Sequence, residues 1–124
     1  MMTPTHTKNI LVIDDDPALV VFLQKRLDAA GYRVSTAVSA EAGFQAMRMD
    51  LPDLLIVDVK MPGMDGFSFV REIRADGALA KVPILIVTAQ EELGDIFKME
   101  GAQGFFPKPI DMELFMEKVS ELIG

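Results

Sequence analysis

The stretch ILVIDDD at residues 10–16 decides how this chain folds, because four apolar residues run directly into three aspartates. Two later stretches have the same design, LLIVD at residues 54–58 and ILIVT at residues 84–88. A fourth and shorter stretch, FFPKP, occupies residues 105–109. Unbroken apolar runs of this kind are typical of strands buried on both faces of a parallel sheet. Because the C-terminal ends of parallel strands share one edge, that edge should hold carboxylates, a hydroxyl and an ammonium group.

Helical patterns lie between these strands. Asp16 is suited to cap a first helix, Pro17 to occupy its first position and Gly31 to follow its last turn. Asp111 is placed to cap the last helix. The first half of the chain is predicted to form a strand at residues 9–14, a helix at 17–30, a strand at 33–37, a helix from 39 and a strand at 54–58. The second half is predicted to form a helix around 67–73, a strand at 83–88 opened by Pro83, a short helix within 91–100, a strand from 105 and a helix after 111.

This alternation predicts parallel βαβ units with right-handed crossovers. The second and fifth strands are less apolar than the others and therefore suit the two edges of the sheet. The predicted fold class is α/β: a single three-layer, doubly wound, flavodoxin-like domain with a five-stranded parallel sheet in the order 2-1-3-4-5 and five helices. Such sheets bind ligands where the strand order reverses, which here lies between the strands that lead to Asp14 and Asp58.

Composition is typical of a compact globular domain. The 124 residues fit one domain, half of them are apolar, and the formal net charge is -7. An acidic domain without a Lys/Arg cluster is a poor binder of nucleic acid, whose phosphates require a basic face. The chain has no cysteine, which excludes disulfides, thiol nucleophiles and Cys-type zinc sites.

The expected domain organisation is a flexible N-terminal tail at residues 1–8 and one domain over residues 9–124. The tail is polar and lacks an apolar core of signal-peptide length. No apolar run approaches the ~20 residues of a membrane span, so membrane insertion is not expected. The lack of cysteine is consistent with a cytoplasmic protein, which is the location we expect.

The residues at the shared strand edge suit phosphoryl chemistry. Two like unit charges about 4 Å apart repel by roughly 4 kcal/mol at an effective dielectric of 20, so Asp14, Asp15 and Asp58 together call for a cation. A hard, oxygen-liking ion such as Mg²⁺ fits best. Lys108 could neutralise a phosphoryl oxygen, Thr88 could donate a hydrogen bond to another, and a carboxylate can attack phosphorus. Taken singly, Lys108 could also be a charge-balancing ion pair and Thr88 an ordinary strand-end hydroxyl.

Over about residues 8–123 the chain resembles the receiver domain of two-component response regulators. The matching segments are ILVIDDD at 10–16, DVKMPGMDG at 58–66, VTA at 87–89, GA at 101–102 and KP at 108–109. The resemblance implies that Asp58 is the phosphoacceptor and that Mg²⁺ is the cofactor. It implies that the metal ligands are Asp14, Asp15, Asp58 and the backbone carbonyl of Lys60. It implies that Thr88 and Lys108 contact the phosphoryl group, and that Thr88 and Phe105 are the switch residues. It also implies a cis peptide bond between Lys108 and Pro109.

The resemblance also implies partners. A phosphohistidine on a sensor histidine kinase or a phosphotransfer protein would be the donor, and a downstream effector protein would read the result. The chain would be a stoichiometric phosphoacceptor with slow autodephosphorylation rather than a turnover enzyme. A stand-alone receiver and a piece of a longer protein are both compatible with the sequence.

The chain departs from the family pattern in two places. Phe105 stands where the family often has a tyrosine, so we expect a mostly buried ring and a signalling surface that depends less on its rotamer. The segment between Thr88 and Lys108 looks shorter than usual, so the predicted fourth helix would be truncated or displaced. Lys60 and Gln90 stand where the family tunes the lifetime of the phosphoryl group.

Two alternatives remain open. A haloacid-dehalogenase-like phosphatase would use Asp14 as its nucleophile and Asp16 as its second acid, although the chain is short for that class. A receiver-like binding module would act without phosphorylation. No glycine-rich nucleotide-binding loop is present to support a third reading.

Overall fold

The computed structural model describes residues 7–58, 66–89 and 101–124, in which five strands alternate with four helices. Their bounds are β1 Asn9–Ile13, α1 Pro17–Ala29, β2 Arg33–Ala37, α2 Ala40–Met49, β3 Leu54–Asp58, α3 Gly66–Ala75, β4 Ile84–Thr88, β5 Gly104–Pro107 and α4 Met112–Ile123. The helix predicted within residues 91–100 lies outside the described residues, so α4 is the helix predicted as the fifth. Among the described helices, none is long and apolar enough to cross a membrane.

The strands form one parallel sheet in the order β2-β1-β3-β4-β5, which confirms the predicted topology and fold class. Every residue of β3 and β4 is buried, whereas the edge strands β2 and β5 contain exposed positions. The predicted start of β4 at Pro83 is one residue early, because proline has no N–H to donate to a neighbouring strand. The predicted end of β1 at Asp14 is also wrong by one residue. The N–H of Asp14 still donates to the carbonyl of Ala37 at 3.1 Å, but its carboxylate already accepts the N–H of Asp16 in the turn towards α1.

The predicted helix caps are present. The carboxylate of Asp16 accepts the N–H groups of Ala18 and Leu19 at 3.1 and 3.3 Å, and Pro17 occupies the first helical position. Gly31 follows α1 with a φ of 97°, a conformation that side chains rarely adopt. At the other end of the chain, Asp111 caps α4 by accepting the N–H of Leu114 at 3.2 Å. These caps fix where α1 and α4 begin relative to the strands before them.

The sheet separates two apolar clusters, which gives the fold its three layers. On one face, α2 and α3 bury Met47 and Ile73 against β1, β3 and β4. On the other face, α1 and α4 bury Leu23, Leu27 and Phe115. Alternate residues of each central strand contribute to opposite clusters, as the two-residue period of a strand requires. Because both faces of the central strands β1, β3 and β4 are covered, polar groups on these three strands are confined to the strand ends.

Candidate phosphoryl and metal site

The C-terminal ends of four strands bring the predicted site residues to one edge of the sheet. Asp14 follows β1, Asp58 and Thr88 end β3 and β4, and Lys108 follows β5. Asp14, Asp58 and Thr88 are the described polar residues that are buried, with relative exposures of 2%, 4% and 0%. Burial of ionised or hydroxyl groups is costly unless each of them is paired, so this edge is the chemically distinctive part of the described fold.

Three carboxylates are close enough to share a metal ion. One carboxylate oxygen from each of Asp14, Asp15 and Asp58 lies within 4.8 Å of the other two. Because Mg²⁺ holds oxygen ligands octahedrally at about 2.0–2.1 Å, its ligand atoms are about 2.9 to 4.2 Å apart. Small side-chain movements would therefore bring all three oxygens onto one ion. The donor set is all oxygen, which is the chemistry that Mg²⁺ prefers.

Lys108 lies between two of these carboxylates. Its Nζ donates to Oδ2 of Asp58 at 2.9 Å and lies 3.6 Å from Oδ2 of Asp14. The backbone N–H of Lys108 donates to the carbonyl of Thr88 at 2.9 Å, and the Lys108–Pro109 peptide bond is cis. Burial works to lower the pKa of Lys108, but the hydrogen bond to Asp58 and the charges of both aspartates outweigh burial and raise that pKa. The ammonium group is therefore firmly charged.

Asp14 carries the electrostatic strain of the site. Burial, which favours the neutral acid, raises the pKa of Asp14 from 3.8 to about 6. The N–H of Asp16 donates to its Oδ1 at 2.9 Å and lowers this pKa, the nearby charge of Asp58 raises it, and the charge of Lys108 lowers it. The charge of Lys108 thus does not fully offset the burial of Asp14 and its repulsion by Asp58. A divalent cation would supply the missing positive charge.

Two neighbouring aspartates differ from Asp14 in their surroundings. Asp15 is exposed, with its carboxylate turned to the same site. The carboxylate of Asp16 is occupied by capping α1. In the phosphatase alternative Asp16 would be the second acid, whereas in this structure its Oδ1 accepts the N–H groups of Ala18 and Leu19 at the start of α1.

Of the remaining predicted site residues, the structure describes some and not others. Phe105 is partly buried and packs against the cluster beneath α2 and α3, which agrees with its expected burial. Thr88 is fully buried, and Ala89 after it is exposed. Lys60 and Gln90 lie outside the described residues.

A cavity that no sequence pattern indicates lies beside the acidic residues. It has a volume of about 460 Å³, and its lining is mostly apolar. The lining residues are Asp14, Asp15, Pro17, Val20, Val21, Gln24, Thr36 and Val38. Val21 and Val38 are 48% and 71% exposed, although valine usually lies inside a fold. The exposure of these two valines can be recognised only once the packing of α1 against β2 is known.

Comparison with known proteins agrees with the geometry. The chain matches the profile of the response regulator receiver domain over residues 10–120. It is 38% identical over 115 residues to response regulator PleD of Caulobacter vibrioides, a match that covers 91% of this chain and 25% of PleD. It is 29% identical over 117 residues to protein PilH of Pseudomonas aeruginosa, covering 93% of this chain and 97% of PilH. The chain therefore spans only a quarter of the length of PleD.

Solved structures show the same fold. A putative response regulator from Chloroflexus aurantiacus superposes with a TM-score of 0.89 at 31% identity, covering 95% of this chain and 98% of that protein. Response regulator TrrA of Thermotoga maritima, in complex with Mg²⁺ and BeF, superposes with a TM-score of 0.84 at 29% identity, covering 94% of this chain and 99% of that protein.

Proposed function

Since this chain belongs to the response regulator receiver family, we propose that Asp58 accepts a phosphoryl group from a phosphohistidine and thereby switches the surface offered to a partner protein. The observation that carries the proposal is the position of Lys108, whose Nζ lies 2.9 Å from Asp58 and 3.6 Å from Asp14. A phosphoryl group on Asp58 brings additional negative charge to a nearly buried site. Lys108 is the cation in place to receive it.

The proposed donor is a phosphohistidine on a sensor histidine kinase or a phosphotransfer protein. A carboxylate oxygen of Asp58 attacks the phosphorus in line, and the imidazole leaves with the electron pair of the broken P–N bond. Lys108 then exchanges its hydrogen bond to Asp58 for one to a phosphoryl oxygen, and the hydroxyl of Thr88 donates to another.

The proposed metal site consists of Asp14, Asp15, Asp58 and the backbone carbonyl of Lys60. The fit of three carboxylate oxygens within 4.8 Å supports it. When bound there, Mg²⁺ would supply charge stabilisation for the phosphoryl oxygens. Asp14 and Asp15 both follow β1, so their carboxylates would approach the metal ion from the same side of Asp58.

The proposed switch involves β4 and β5. Thr88 ends β4 and is fully buried, so a hydroxyl drawn to a phosphoryl oxygen changes how Thr88 packs against its neighbours. We assign Phe105 the role of adjusting its packing in response, because it lies on β5 against the cluster that α2 and α3 cover. Phosphorylation shifts an existing equilibrium between two conformations that differ in their surface, and a downstream effector binds one of them more tightly.

The proposed cycle ends when water hydrolyses the aspartyl phosphate slowly. Each phosphoryl group is thus received once and lost once, so the chain acts as a stoichiometric switch and not as a turnover enzyme. Lys60 and Gln90 are assigned to set the rate of this hydrolysis.

The proposal is tested by labelling with acetyl phosphate in the presence and absence of Mg²⁺. Intact mass spectrometry should detect one phosphoryl group on the wild-type protein with Mg²⁺ and none with a chelator. Asp58→Asn should not be labelled, whereas Asp28→Asn, a matched change of an exposed aspartate on α1, should be labelled as the wild type is. Equal labelling of Asp58→Asn and the wild type would refute the assignment.

A further inference from the structure

Arg74, near the C-terminal end of α3, uses all five of its guanidinium N–H groups as hydrogen-bond donors. Nε and Nη2 donate to the carbonyl oxygen of Gly101 at 3.1 and 2.6 Å. Nη1 donates to the carbonyl oxygens of Ala80 and Val82 at 3.0 and 2.7 Å, and Nη2 donates to Oε1 of Gln103 at 3.0 Å. A guanidinium presents its five donors in a fixed planar fork, which the three donors of a lysine ammonium cannot reproduce.

These acceptors lie on the two segments that lead into β4 and β5. Gln103 also joins the two segments directly, because its Oε1 accepts the N–H of Ile84 at 2.7 Å and its N–H donates to the carbonyl of Ile84 at 2.8 Å. The fit around Gly101 is tight: its φ is +101°, and an added Cβ would lie 2.9 Å from Nε of Arg74. Arg74 therefore fastens the N-terminal ends of β4 and β5 to α3.

Of the two strands, β5 depends more on this attachment. It has only four residues, and among the described strands its neighbour is β4 alone. Its last residue, Pro107, has no N–H to donate. At the far end of β4, about 13 Å from Ile84 at the rise of a strand, the N–H of Lys108 donates to the carbonyl of Thr88. Because Lys108 directly follows β5, the position of β5 against β4 determines the position of the Lys108 ammonium group.

We propose that Arg74 is a positioning residue for phosphoryl acceptance, because it fixes β5 against β4 and so sets the place of Lys108 relative to Asp58. This inference rests on the proposed function and deepens it by dividing the site into a metal-binding half and a phosphoryl-binding half. The proposed aspartate ligands of the metal lie at the C-terminal ends of β1 and β3, and none of the five hydrogen bonds of Arg74 goes to these strands. The phosphoryl-binding groups of Thr88 and Lys108 lie at the ends of the two strands that Arg74 fastens.

The test compares metal binding with phosphoryl acceptance in Arg74→Lys, which keeps the charge and loses the fork. Mg²⁺ affinity is measured by isothermal titration calorimetry, and the rate of labelling by acetyl phosphate is measured at saturating Mg²⁺. We expect the labelling rate to fall at least about tenfold while Mg²⁺ affinity stays within about twofold, because small displacements of a reacting group cost rates of this order.

Gln103 provides a second and milder pair of variants. Gln103→Met removes the acceptor shared by Arg74 and Ile84 and should slow labelling in the same way. Gln103→Glu keeps an acceptor oxygen facing the guanidinium and should restore the wild-type rate. If Arg74→Lys does not fold, this pair decides the question.

Two controls separate positioning from general loss of stability. Arg48→Lys makes the same exchange at the surface ion pair between Arg48 and Asp76, and Met47→Ala truncates a buried side chain of α2. Both should label at the wild-type rate. Unchanged labelling in folded Arg74→Lys, or a parallel fall of labelling and Mg²⁺ affinity, would overturn the inference. A wild-type protein that is not labelled at all would refute the proposed function itself.

Discussion

Replacing Asp14 with asparagine should make the metal-free protein more stable at pH 8, even though the change removes a residue of the proposed metal site. Asparagine has nearly the same shape as aspartate, and its side-chain oxygen can still accept the N–H of Asp16, which donates to Asp14 at 2.9 Å. The charge is lost. Because Asp14 is only 2% exposed and lies beside Asp58, losing that charge relieves both burial and repulsion.

The size of the effect follows from the pKa of Asp14, which is raised from 3.8 to about 6. Each pKa unit corresponds to about 1.4 kcal/mol, so ionising this carboxyl in the folded state costs about 3 kcal/mol at pH 8. A raised pKa means that the folded protein binds the proton more tightly than the unfolded chain. Stability from this group is therefore greatest below pH 4 and falls as the pH rises through 4 to 6. The amide needs its own partners, so the expected net gain is about 1–3 kcal/mol.

The measurement is urea unfolding with a chelator, followed by far-ultraviolet circular dichroism at pH 8 and pH 4.5, with Asp28→Asn as the control. Asp14→Asn should exceed the wild type in free energy of unfolding at pH 8, and the difference should shrink at pH 4.5. Mg²⁺ should stabilise the wild type at pH 8 and should have little effect on the variant, because binding to the folded state raises its stability. A variant no more stable than the wild type at pH 8, or a difference independent of pH, would refute this account of the site.

Two further substitutions probe the residues around Asp14. Lys108→Met should lower the metal-free stability by about 2 kcal/mol in urea unfolding, because it leaves two buried carboxylates uncompensated, and it should slow labelling by acetyl phosphate about 100-fold. A labelling rate like that of the wild type would show that Lys108 only balances charge. Asp16→Ala should cost about 1 kcal/mol as a lost helix cap and should leave labelling unchanged. If it instead abolished turnover of a phosphate monoester, the phosphatase alternative would be correct.

The sheet could be predicted because its three central strands are unbroken apolar runs. The apolar runs of β1, β3 and β4 have to be buried on both faces, and only the centre of a doubly wound sheet offers that environment. The order of strands then follows, together with the meeting of Asp14, Asp58 and Thr88 at one edge. Caps such as Asp16 and Gly31 were also predictable, because their effect depends on the backbone within a few residues.

Other features were hidden because they depend on distant backbone. The acceptors of Arg74 are mostly carbonyl oxygens, which every residue has, so no residue type in the sequence marks them. The cavity beside Asp15 requires Val21 and Val38 to remain partly exposed, against the general tendency of valine. The single-residue error at the end of β1 has a different and local origin, because the carboxylate of Asp14 accepts the N–H of Asp16 in the turn towards α1.

The proposed switch depends most directly on which residue carries the phosphoryl group. After labelling with acetyl phosphate and Mg²⁺, reduction with borohydride converts an aspartyl phosphate to homoserine, which peptide mass spectrometry can place in the sequence. We predict homoserine at position 58 alone, at a level that disappears when Mg²⁺ is withheld. Modification at Asp14 or Asp15, or labelling that persists without Mg²⁺, would contradict the central claim.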